Sequence, residues 1–100
     1  MISDKLQKFY INGQWVDPVG TGRLDVENPA TEEVLGTLAM GSAADADRAV
    51  LAARAAFDGF TALPVAERIA LLERILAGYN ARAEEFAQAM RLEMGAPVTW

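Results

Sequence analysis

The chain of 100 residues contains no cysteine and no histidine. Without cysteine it can form no disulfide, no thiolate metal site and no thiol nucleophile. Without histidine it lacks the side chain that most often serves as a general base near neutral pH. These two absences exclude many of the usual catalytic and metal-binding arrangements from this sequence.

Long apolar runs and excess positive charge are also missing. No run approaches the ~20 apolar residues that a membrane span needs, and residues 1–8 have no apolar segment typical of a secretory signal. Nine lysines and arginines stand against fourteen acidic residues, a net charge of −5. Nucleic-acid binding depends on clustered positive charge, so we expect a cytoplasmic protein that binds neither membranes nor nucleic acid.

A change of composition divides the chain near Gly41. Before it, glycine, proline and β-forming residues alternate, and after it alanine dominates with a helical apolar period. We therefore predict β-hairpins in residues 1–41 and a helical part in residues 42–100. The length allows one domain, or part of one, with a modest core.

Two strand–turn–strand patterns occupy the first part. Asn12-Gly13 is a strong signal for a type I′ hairpin turn because both residues tolerate positive φ, and it joins predicted strands at residues 9–11 and 15–16. A second pair of strands is predicted at residues 23–27, with Leu24 and Val26 on one face, and at residues 34–40. Such ribbons are marginal alone and need a surface to pack on.

Three helices are predicted in the second part. Ser42 and Asp45 form a variant of the capping box at the start of the first helix, and Pro64 suits the start of the second. Asn80 is a candidate N-cap for the third helix, which Gly95 and the following proline would end. The predicted buried faces are Ala46, Ala49, Val50, Ala53, Phe57 and Phe60, then Ala66, Ile69, Leu72, Ile75, Leu76 and Tyr79, then Ala83, Phe86, Ala87, Met90 and Met94.

Several groups of residues are candidate sites, and each has a simpler structural interpretation. Gly20-Thr21-Gly22 is only part of a dinucleotide-binding fingerprint, which needs a third glycine and a helix directly after a strand. The carboxylate pairs Asp45 with Asp47 and Glu84 with Glu85 fall where acids favour a helix start. We therefore predict a plain loop and two helix N-termini.

Aromatic and methionine side chains form a second set of candidates. Phe9, Tyr10 and Trp15 could stack a base or sugar, but a nucleic-acid platform needs basic neighbours, and Lys8 is weak support. Cross-strand packing is the favoured role. Met90 and Met94 could line an adaptable groove, but their helical spacing beside an aromatic side chain favours a core position.

The order of the motifs resembles the start of the NAD(P)-dependent aldehyde dehydrogenase superfamily. The matching segments lie at residues 10–16, 28–36, 42–57 and 64–72, followed by Glu93 with Gly95-Ala96-Pro97. Many relatives have glycine in place of Glu32 and lysine in place of Ala96. The resemblance implies an α/β fold, in which the two hairpins and three helices form the N-terminal portion of a Rossmann-type coenzyme-binding domain.

The same resemblance implies a reaction. The family oxidises an aldehyde to a carboxylic acid, through a cysteine thiohemiacetal and a thioester, with NAD or NADP as the coenzyme. In relatives the cysteine, the water-activating glutamate and the coenzyme-binding residues lie beyond the position of Trp100. We therefore assign no catalytic, cofactor-binding or metal-binding residue to this sequence. Some relatives bind a monovalent cation through backbone near residues 26–28, but we assign no such site here.

The resemblance leads to a structural role within a longer enzyme, a homodimer or homotetramer that acts on an aldehyde. One alternative is a free-standing, non-catalytic helical interaction module that docks through the alanine-rich face of its first helix. Another is an inactive remnant that regulates an intact relative. We further predict that residues 1–100 alone are marginally stable and expose apolar surface.

Overall fold

The computed structural model describes residues 4–97. A short 3-10 helix, Asp4–Gln7, precedes two separate antiparallel hairpins, and three α-helices follow. The side-chain amide of Gln7 donates to the carbonyl oxygen of Thr37, which ties the short helix to the second hairpin. The predicted order of elements is confirmed.

The first hairpin pairs β1 (Phe9–Ile11) with β2 (Gln14–Val16). Its turn residues Asn12 and Gly13 have φ of 53° and 75°. Both values are positive, as a type I′ turn requires. The sequence prediction of this turn is therefore confirmed.

The second hairpin pairs β3 (Arg23–Glu27) with β4 (Val34–Ala39). Leu24 lies opposite Leu38, and the register shifts between Val26 and Glu27. The predicted bounds of β3 are confirmed, whereas β4 ends one residue earlier than predicted. Met40 instead donates its amide to the carbonyl oxygen of Gly22, 2.9 Å away, which closes the open end of the hairpin.

The first helix, α1, spans Ala43–Thr61 and begins with the predicted capping box. The Asp45 amide donates to the Ser42 hydroxyl at 3.4 Å, and the Ser42 amide donates to the Asp45 carboxylate at 3.0 Å. These bonds satisfy two backbone donors that a helix start leaves unpaired.

The second helix, α2, spans Val65–Ala81, and the third, α3, spans Ala83–Met94. Pro64 occupies the predicted position before α2, and Gly95 ends α3 in the left-handed conformation with φ of 71°. The prediction of Asn80 as an N-cap is wrong. The helical pattern of α2 continues past Gly78 to Ala81, so the break between the helices is the single residue Arg82. The apolar residues Val98 and Trp100 at the C-terminal end lie outside the described residues.

The chain forms a flat layer. Its principal extents are 49 × 36 × 16 Å and its radius of gyration is 17.1 Å, whereas a compact domain of this length has a radius of gyration of about 13 Å. Among the residues whose burial is described, 5–97, the buried side chains are Ala39 and Asp45. Residues 5–97 therefore have almost no apolar core of their own.

The prediction that these helical faces are buried is wrong for the described chain. Their large side chains are exposed within this chain: Val50, Phe57, Phe60, Ile69, Leu72, Ile75, Leu76, Tyr79, Phe86, Met90 and Met94. The helical period was right, but within residues 5–97 the apolar faces of the three helices are left uncovered. The predicted exposure of apolar surface is thus confirmed, and marginal stability stays a prediction.

Candidate functional site

The Asp45 carboxylate is the most highly organised polar group of the described chain. Only 4% of its surface is exposed. Its Oδ1 accepts a hydrogen bond from the Val19 amide at 2.8 Å. Its Oδ2 accepts from the Gly20 amide at 3.2 Å, the Ser42 amide at 3.0 Å and the Ser42 hydroxyl at 2.8 Å. The carboxylate therefore joins the start of α1 to the loop between the hairpins.

These donors determine the charge state of Asp45. The hydrogen bonds from the backbone of Val19 and Ser42 lower the pKa of the carboxyl far below its ordinary value of 3.8 and outweigh the opposing effect of desolvation. A general base near neutral pH needs a higher pKa and an accessible lone pair. Asp45 offers neither, so the arrangement stabilises the fold and does not transfer protons.

Arg48 adds a second tie between α1 and the same loop. Its guanidinium Nη1 donates to the carbonyl oxygen of Asp17 at 3.3 Å and lies 3.9 Å from Asp45 Oδ1. The spacing of Ser42 and Asp45 predicts their local pair. The bonds from Val19 and Gly20 to Asp45 and from Arg48 to Asp17 join residues 25 to 31 positions apart, for which the local pattern carries no signal.

The Gly20-Thr21-Gly22 segment is a loop, as predicted. The Gly20 amide is used by Asp45, and a Cβ atom at position 20 would lie 2.9 Å from the Ser42 Cβ. At position 22 a Cβ atom would lie 3.2 Å from the Met40 Cβ. Close packing against neighbouring side chains accounts for both glycines, and no phosphate site is needed to explain them.

The other acidic candidates lie at the start of helices and on their surfaces. Glu84 and Glu85 lie in the first turn of α3, as predicted. The Glu84 carboxylate accepts a hydrogen bond from the side-chain amide of Gln88 at 2.9 Å, and Glu85 forms a 2.7 Å ion pair with Arg82. Asp47 is exposed and lies just beyond the first turn of α1, which corrects its predicted placement. The two pairs do not converge on a cleft.

The aromatic candidates form a cross-strand pair. The rings of Tyr10 and Trp15 are 5.3 Å apart and inclined at 59°, and the two residues are directly opposite in the hairpin. The predicted role in cross-strand packing is confirmed. Lys8 forms an ion pair with Asp17 at 2.8 Å and is not the cation at the aromatic ring. That position belongs to Lys5, whose ammonium lies 4.9 Å from the Trp15 ring centre.

An open groove lies beside this aromatic pair. The side chains of Lys5, Lys8, Trp15 and Arg82 line it, together with apolar residues of β4, and its volume is about 760 Å³. No local sequence pattern indicates this juxtaposition, because Arg82 is remote from the hairpin in the chain. Lys8 and Arg82 are each paired with a carboxylate, so their charges are balanced within the chain.

Met90 and Met94 line a second, smaller groove of about 220 Å³ with Tyr79 and Phe86. The rings of Tyr79 and Phe86 stack with centres 5.0 Å apart. The prediction that both methionines are core residues is wrong for this chain, since Met94 is 72% exposed. Tyr79 of α2 contacts this side of α3, but the two methionines stay exposed.

Neither a metal centre nor a membrane span is found in the described part of the chain. Residues 4–97 contain no cluster of acidic side chains suited to holding a metal ion. At residues 26–28, the side-chain oxygen of Asn28 accepts from the Ala30 amide at 2.9 Å. Within the same range no helix has the length and apolar character to cross a bilayer.

Comparison with known proteins identifies the family. A model of the aldehyde dehydrogenase family matches residues 15–100. Over 92 residues the chain is 42% identical to 3-succinoylsemialdehyde-pyridine dehydrogenase of a Pseudomonas species. The alignment covers 92% of this chain and 19% of that protein.

Solved structures agree with this match. The chain is similar to a mutant of aldehyde dehydrogenase C from Pseudomonas syringae, solved with NAD+ and octanal, with 50% identity and a TM-score of 0.92. That likeness covers 94% of this chain and 19% of the other. It is also similar to a Mycobacterium tuberculosis aldehyde dehydrogenase solved with NAD+, with 37% identity and a TM-score of 0.85 over 93% of this chain and 20% of that one.

The chain thus spans about a fifth of the length of the curated relatives it matches. Its two hairpins and three helices superpose on part of their α/β fold, which confirms the predicted fold class. The match extends over most of the sequence and agrees in both sequence and structure. The chain belongs to the aldehyde dehydrogenase family.

Proposed function

We propose that these residues are the N-terminal segment of an NAD(P)-dependent aldehyde dehydrogenase that oxidises an aldehyde to a carboxylic acid. The observation that carries the proposal is the likeness to aldehyde dehydrogenase C, at 50% identity and a TM-score of 0.92 over 94% of this chain. Because the chain corresponds to 19% of that protein, the activity is assigned to the natural protein as a whole.

The segment itself has a structural role in this proposal. Its buried carboxylate, Asp45, accepts four hydrogen bonds, and its helices carry broad exposed apolar faces. Such faces are stabilised when another part of a protein covers them. We propose that the rest of the natural polypeptide does so, and that residues 1–41 and 42–100 together form the N-terminal portion of the coenzyme-binding domain.

The described residues do not fit a dinucleotide. The glycine loop at residues 20–22 packs against Ser42 and Met40, and it leads into strand β3, whereas the dinucleotide fingerprint opens a helix. We therefore place coenzyme binding, whether of NAD or NADP, outside residues 4–97. The nucleophilic cysteine of the thiohemiacetal and thioester route belongs there too, since this sequence has no cysteine.

Assembly and location complete the proposal. We propose a homodimer or homotetramer, which the resemblance implies, and a cytoplasmic location, which the sequence analysis predicts. The absence of a bilayer-crossing helix among residues 4–97 is compatible with this location.

Two measurements on the natural protein test the proposal. The first is its intact mass, expected to be about five times the 10.8 kDa of this chain because the chain corresponds to 19% of its relatives. The second is reduction of NAD or NADP by the purified protein with octanal, an aromatic aldehyde and a semialdehyde. Residues 1–100 expressed alone should reduce neither coenzyme.

Three outcomes would contradict the proposal. A natural protein of 10.8 kDa that oligomerises with concentration would favour the free-standing interaction module. A short protein that copurifies with an intact dehydrogenase would favour the regulatory remnant. A full-length protein that reduces neither coenzyme with any of the aldehydes would overturn the assigned activity while leaving the family membership intact.

A further inference from the structure

We draw no further inference here: the strongest candidate, the exposed apolar face of α2 formed by Ile69, Leu72, Leu76 and Tyr79, carries nothing because nothing in the structure shows what covers it.

Discussion

Asp45 combines a helix cap with a long-range tie, and its charge is central to both. Replacement by asparagine keeps the shape but puts an amide NH2 in place of one carboxylate oxygen. In either orientation this group faces a backbone N–H donor from Val19 or Ser42. The side-chain NH2 and the backbone N–H then face each other, and neither finds an acceptor, because residue 45 is only 4% exposed. We expect Asp45→Asn to lower the unfolding midpoint of the natural protein by several degrees at pH 7.

The effect of Asp45→Asn should depend on pH in a defined direction. The folded-state pKa of Asp45 lies below its ordinary value of 3.8. The stabilisation is therefore complete above the ordinary pKa and is lost as the pH falls towards the folded-state pKa. The difference in midpoint between wild type and Asp45→Asn should be constant from pH 7 to about pH 5 and shrink below about pH 4. Thermal melts across this range measure it.

Asp47→Asn is the matched control, because Asp47 is an exposed carboxylate of the same helix. This variant should melt close to wild type at pH 7. Equal losses of stability in Asp45→Asn and Asp47→Asn would show that the charge near the start of α1 matters, and that the hydrogen bonds to Asp45 do not.

Glu32 holds a backbone conformation that suits glycine better. Its φ is 59°, and a side chain in the left-handed region costs about 1–2 kcal/mol. Glycine removes this cost but adds backbone freedom to the unfolded chain, worth about 0.5–1 kcal/mol. We expect Glu32→Gly to stabilise the natural protein by roughly 0.5 kcal/mol, measured by urea denaturation.

The neighbouring residue provides the control for this substitution. Glu33 is exposed and has no positive φ, so Glu33→Gly should lower stability by adding freedom to the unfolded chain and by removing the exposed 3.3 Å hydrogen bond from the Thr31 hydroxyl. The opposite signs of the two variants are the expected result. A loss of stability in both would mean that the left-handed conformation of Glu32 costs little.

At the scale of elements, the connection between the hairpins depends on close packing against the start of α1. An alanine at position 20 would place its Cβ 2.9 Å from the Ser42 Cβ and 3.5 Å from the Asp45 carboxylate. Because α1 and the loop are tied at this point, relief of the clash would disturb the hydrogen bonds to Asp45. We expect Gly20→Ala to destabilise the natural protein by about 1–3 kcal/mol, as overpacking usually does.

Thr21→Ala is the comparison for Gly20→Ala, since it changes an exposed residue of the same loop. Its urea midpoint should stay near that of wild type. A Gly20→Ala variant as stable as Thr21→Ala would show that the loop moves away from α1 without cost.

Elements whose signals are local could be predicted from the sequence. Asn12 and Gly13 specify their turn because both adopt positive φ, and Ser42 with Asp45 specifies the start of α1. The break after α2 was misplaced because asparagine caps a helix only when the chain leaves the helical conformation. Asn80 instead remains within α2, and Arg82 takes the non-helical position.

In the candidate site, too, local contacts could be predicted from the sequence and long-range contacts could not. The capping half of the Asp45 arrangement could be predicted, because its partners lie three residues apart. The Val19 and Gly20 amides could not, since their approach depends on how the loop folds back on α1. Lys5 at the Trp15 ring and Arg82 beside the first hairpin were missed for the same reason.

The whole molecule is a layer about as thick as one helix with its side chains. Its 16 Å thickness is little more than a helix diameter of about 10–12 Å, and within residues 5–97 no second layer buries the apolar stripes. Apolar periodicity indicates which residues share a face, but it does not say whether the covering surface lies within the same stretch of chain. This is why the predicted faces were right in period and wrong in burial.

Residues 1–100 expressed alone should therefore be marginally stable. Most stability of a domain comes from apolar burial, and large residues such as Leu72, Leu76 and Phe57 are more than half exposed here. We expect a broad, weakly cooperative thermal transition and strong binding of a hydrophobic dye, compared with the natural protein at equal concentration. Circular dichroism and dye fluorescence measure both. A sharp transition at high temperature from a monomeric chain that binds no dye would show that the layer folds on its own, and the structural role proposed for it would then have to be reconsidered.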